Sequence, residues 1–163
     1  MRELGVTNLI AGLALAAGVL GGCEGITTGT EVANVPLQAA ESGEKGAYAP
    51  VKFTLSAEMN PLAFNLRADF SLDATEFGKW NSYRAVLTQN GATVASRNIN
   101  VNHPQSSPQG EAPPPSGTVH TLFYVDVPGG GEYELTITPT KPAVITLKEP
   151  RVDVRRNVQR PPQ

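Results

Sequence analysis

The stretch from Leu62 to Asp73, LAFNLRADFSLD, constrains the fold more than any other part of the chain. Leu62, Phe64, Leu66, Ala68, Phe70 and Leu72 take every second position, and Asn65, Arg67, Asp69, Ser71 and Asp73 stand between them. A period of two sends the first set to one face of an extended strand and the second to the other, so the segment is expected to bury one face and wet its opposite. The pattern recurs. Val51, Phe53, Leu55 and Ala57 interleave with Lys52, Thr54, Ser56 and Glu58, while Tyr133, Leu135 and Ile137 interleave with Glu132, Glu134 and Thr136. In the run from Thr118, the side made by Val119, Thr121, Phe123, Val125 and Val127 is expected to face inward, with His120 on the polar side. Trp80 to Thr88 and Ala92 to Val101 flank Gln89-Asn90-Gly91, and Asn-Gly between two strand-like runs is a strong hairpin signal.

Shorter runs at 143–148 and 152–158 bring the total to about seven strands. No helical period of ten residues occurs after Cys23, and 16 glycines and 14 prolines in 163 residues suit a turn-rich β chain. The expected fold is all-β: a single antiparallel β-sandwich, of immunoglobulin-like or jelly-roll type, over 51–158. Residues 102–117, NHPQSSPQGEAPPPSG, carry five prolines and read as a long exposed loop, and 159–163 read as a disordered tail.

The first 22 residues carry a different signal. Arg2 precedes an apolar stretch that runs to Gly22 and stops at Cys23, the only cysteine of the chain. Leu20-Gly21-Gly22-Cys23 resembles the lipobox of bacterial lipoproteins, in which an aliphatic and two small residues precede a cysteine that becomes lipidated and N-terminal. The resemblance covers the signal alone. It implies a signal peptide over 1–22, two or more acyl chains on Cys23, and attachment to an envelope membrane on its periplasmic side. Glu24, where an aspartate would favour the inner membrane of enteric bacteria, tilts the expectation toward the outer membrane. Residues 23–50, rich in Gly, Thr, Glu and Ala, read as a lipidated flexible tether spanning roughly 25 to 30 Å.

Chemistry is sparse. His103 and His120 fall in no nucleophile–base or metal motif and are expected to be solvated, and Asp69, Asp73 and Glu76 are expected to be ordinary surface charges rather than a calcium site. A single cysteine excludes an internal disulfide or a multi-cysteine metal site, so neither cofactor nor metal is expected. A formal charge of -2 gives no basis for nucleic-acid binding. Tyr83 and Tyr133 share faces with aliphatic neighbours, which leaves Trp80 and Tyr124 as the aromatics able to stack on a sugar ring, or in the case of Trp80 to plug the sandwich. Positive charge gathers at the end: 141–163 hold 6 basic and 2 acidic residues against 6 and 12 in 23–140. Arg155, Arg156 and Arg160 are therefore candidates for contact with an anionic surface. These features point to a lipid-anchored, non-enzymatic envelope protein, an accessory or interaction module for another envelope protein, or else a peptidoglycan- or polysaccharide-binding module.

Overall fold

The computed structural model describes residues 28–41, 43–105 and 117–162. The expected signal peptide, Cys23 and most of the proline-rich loop lie outside them. Eight strands form the fold: β1 (Thr30–Pro36), β2 (Val51–Leu55), β3 (Leu62–Phe70), β4 (Trp80–Gln89), β5 (Ala92–Asn102), β6 (Thr118–Val125), β7 (Gly131–Pro139) and β8 (Leu147–Arg156). They build two antiparallel sheets of four, in the orders β1-β8-β3-β6 and β2-β7-β4-β5. Seven connections join these strands, and of them β4–β5 alone stays within one sheet, while the rest cross between sheets. This is the double Greek-key order of a jelly roll, so of the two sandwich types anticipated the strand order selects that one.

The facing sides of the sheets interdigitate as the alternation requires. Leu62, Phe64, Leu66 and Phe70 of β3 meet Phe53 and Leu55 of β2, Tyr83 and Leu87 of β4, and Tyr133, Leu135 and Ile137 of β7 in one buried cluster. Phe64 lies edge-on to Phe53 across the two sheets, ring centroids 5.6 Å apart. The hairpin forms where Asn-Gly stands: Gln89 pairs with Ala92, and Asn90 and Gly91 both take positive φ, 50° and 79°. Two such residues give a turn whose twist matches that of its strands.

Five expectations are corrected. The segment 30–36, read as flexible tether, is strand β1, paired along its length with β8, and Leu37 behind it is buried. Its period was hidden because an edge strand with a bulge between Glu31 and Ala33 buries neither face completely. In β6 the step from Phe64↔Phe123 to Asn65↔Thr121 leaves Leu122 as an extra residue. That bulge swaps faces, so Val119 and Thr121 point outward with Tyr124 while His120 turns to the inner side. Leu72 is 64% exposed because β3 stops at Phe70 and a 3-10 turn, capped by Asp73 on Thr75 N at 2.9 Å, takes the chain away. The two short runs at 143–148 and 152–158 are one strand, β8, preceded by a loop that buries Ala143 and Ile145. The tail is held at its start, where Gln159 N donates to Thr28 Oγ1 and Arg160 pairs with Asp126 at 2.6 Å.

Candidate functional site

Register assigns the two ends of the sandwich. Leu62, Val125, Arg156 and Thr30 mark one end, and Phe70, Leu147, Trp80 and Asn102 mark the other. Trp80 and Tyr124 therefore sit on different sheets at opposite ends, roughly 25 to 30 Å apart along strands of this length, and form no joint aromatic platform. Trp80 is 55% exposed on the outer face of β4, which removes the plug role considered for it. Tyr124 is half-buried beside Ala63, Thr121 and Arg155.

The outer face of the first sheet is closed upon itself. Asp153 on β8 is fully buried; its Oδ2 accepts from Asn65 Nδ2 at 3.3 Å and from Arg67 Nε and Nη2 at 3.2 and 3.1 Å. Arg155 approaches Oδ1 at 3.7 Å, an ion pair longer than a hydrogen bond, while donating to the carbonyls of Thr28 and Gly29 at 3.0 and 2.9 Å. Thr121 Oγ1 completes the cluster on Asn65 Oδ1 at 2.9 Å. A buried carboxylate under two guanidiniums is compensated rather than reactive. Arg155 and Arg160 are thus each engaged with a carboxylate, while Arg156 is exposed.

His103 is buried rather than solvated. Its ring packs on Phe70 and Phe77, Nδ1 accepts from Gln105 N at 3.1 Å, and Nε2 lies 2.9 Å from the carbonyl of Ser71. A backbone N–H can only donate, so the proton sits on Nε2 and both nitrogens are used to tie loops together. Asp69 accepts from Gly117 N, Asp73 caps its turn, and Glu76 accepts from the amide and hydroxyl of Thr146, both at 2.8 Å. The bonds from Thr75 hold the Asp73 carboxyl below its ordinary range. These three carboxylates serve loop geometry, and among the described residues no group of three or more His, Cys, Asp or Glu converges on a metal position. Burial pushes the phenol of Tyr48 well up and that of Tyr83 up, keeping both protonated.

The second sheet's outer face is open. Across β4 and β5, Trp80 stands opposite Asn102, Ser82 opposite Asn100 and Arg84 opposite Asn98. Ser82 Oγ donates to Asn100 Oδ1 at 2.7 Å, and Arg84 Nη1 reaches Asn98 Oδ1 at 3.4 Å. Each amide accepts at oxygen, and among the described residues nothing accepts from either Nδ2. Beside this row β5 and β6, one edge strand from each sheet, part around a cleft of about 350 Å³ walled by residues 97–100 and 119–121. The site consists of Trp80, the three ranks of side chains and this cleft. Sequence reading singled out Trp80 but missed the asparagines, although their signal was present: Asn98, Asn100 and Asn102 alternate in RNINVN, so one face of one strand had to carry all three.

No protein-family model matches the sequence, and no curated protein or solved structure is significantly similar to it.

Proposed function

We propose that the chain is a lipid-anchored, non-enzymatic binding module of the bacterial envelope, facing the periplasm, with outer membrane favoured over inner, and that it serves another envelope component. The observation that carries this reading is the lipobox-like Leu20-Gly21-Gly22-Cys23, and the seating of Thr28 and Gly29 on β8 gives the anchor a direction. Gly29 has φ of 79° and lies so close to the Arg156 carbonyl that a Cβ there would collide with it. Cys23 stands five residues before Thr28, and five peptide units span at most about 18 Å. Acyl chains on Cys23 would therefore keep the Leu62–Arg156 end of the sandwich near the headgroups, with no long tether between. The opposite end then points away from the bilayer. It carries Leu72, Trp80 and Val144, the large apolar side chains exposed among the described residues. Anchoring rests on the acyl chains, since Arg155 and Arg160 already face carboxylates.

Replacing Cys23 with Ser tests the reading. The expected result is an uncleaved, unlipidated precursor that stays in the membrane fraction through its apolar leader; normal processing and release of the variant overturns it. In-cell crosslinking of the lipidated protein should then recover its envelope component through the Trp80 end, and crosslinks confined to the Arg156 end would contradict the orientation.

A further inference from the structure

We propose that the outer face of β4–β5, with the cleft beside it, binds a neutral, hydroxyl-rich glycan chain. The inference deepens the binding-module reading by naming its ligand class. Four observations carry it. First, the face offers an apolar plane at one end: the indole of Trp80 is 55% exposed, and the C–H face of a sugar ring is the small apolar surface that lies flat on such a ring. Second, the plane continues into Ser82–Asn100 and Arg84–Asn98, ranks about 7 Å apart along the strands, whose amide hydrogens are free to donate and whose hydroxyl and amide groups both donate and accept. A chain of hydroxyls needs that mixture.

Third, the three ranks hold one formal charge, Arg84, and the cleft adds Arg97; two separated cations leave room for a largely uncharged chain and fall short of the basic stripe a nucleic acid requires. A protein partner is disfavoured by the same composition, because protein interfaces need an apolar centre, and on this face Trp80 is the sole large apolar side chain exposed among the described residues. Leu72 and Val144 lie in loops outside both strands. Fourth, Asn98 and Asn100 also wall the cleft of about 350 Å³, a volume within the range of ligand sites. A chain laid along the ranks can drop a ring substituent over the β5 edge into it.

The full-length protein in a sugar-free detergent contains one tryptophan, Trp80, so its emission reports on this face alone. Titration with the β-1,4-linked hexamers of glucose and of N-acetylglucosamine should give a saturable shift with at least one of them. By calorimetry, Trp80→Ala should weaken that binding by about tenfold or more, Trp80→Phe should retain most of it, and Asn98→Ala with Asn100→Ala should weaken it by a similar factor. Unchanged melting temperatures separate these losses from misfolding. No saturable shift with either hexamer and no sedimentation with insoluble cellulose or chitin overturns the proposal, as does equal binding by the Trp80→Ala protein. An envelope protein crosslinked through this face and lost in Trp80→Ala, with no response to the hexamers, also overturns it while leaving the binding-module reading intact.

Discussion

The outer faces of the two sheets share one strand geometry and comparable polarity, yet they differ in what their polar groups face. On the first sheet Asn65, Arg67, Arg155 and Thr121 turn toward one another around the buried Asp153, whose Oδ2 takes the hydrogen bonds of Asn65 and Arg67 while Oδ1 has only the longer ion pair with Arg155. On the second, Ser82, Arg84, Asn98 and Asn100 pair across strands but keep donors turned to solvent. The difference lies in where charge is desolvated. A buried carboxylate must be compensated by its neighbours, which consumes their donors, whereas exposed amides already bonded to water exchange it for a ligand at small cost. Polarity alone therefore does not mark a binding surface; unconsumed donors do.

The largest expected effect comes from breaking the closed face. Asp153→Ala leaves two guanidiniums without their carboxylate and should lower unfolding free energy by about 3 kcal/mol in urea titration; a change below 0.5 kcal/mol would mean the cluster is solvated. Asn65→Ala removes a donor to Asp153 and an acceptor for Thr121, and about 1 to 2 kcal/mol should be lost in the same measurement. On the open face, Asn100→Ala should stay within about 0.5 kcal/mol of the parent protein, and a larger loss would make that face structural as well.

The smallest effect belongs to Lys52–Glu132, paired at 2.8 Å on the outer side of β2 and β7. The bond to Glu132 and its charge hold the lysine above its ordinary value of 10.5. A group raised on folding adds stability that is present below pH 10.5 and is lost as pH climbs through the raised value. Thermal melts of the parent and Lys52→Met proteins should thus differ slightly at neutral pH and low salt, and converge above the raised value or at high salt. Persistence of the difference at high salt would indicate packing of the lysine stem instead.

Much of this was legible before the fold was known. Alternation identified β2, β3 and β7, and Asn90-Gly91 between two strand-like runs located the β4–β5 hairpin, because each is a property of a few adjacent residues. β1 was not legible, since an edge strand that buries neither face carries no period and is stabilised by a partner far along the chain. Nor was the inward turn of His120, which depends on one extra residue in β6 relative to β3. At the site, Trp80 stood out by residue type, while the asparagines gained meaning from the strand opposite them.

The sequence by itself determined most of the strands, where the tightest turn falls and most of the side chains that fill the core, because period and turn chemistry are local. Tertiary structure alone decided the sheet order, the short distance from Cys23 to the fold, and which polar groups are consumed. Those depend on pairings such as Asn65 with Asp153, 88 positions apart, and no local pattern specifies which distant strand will supply the partner.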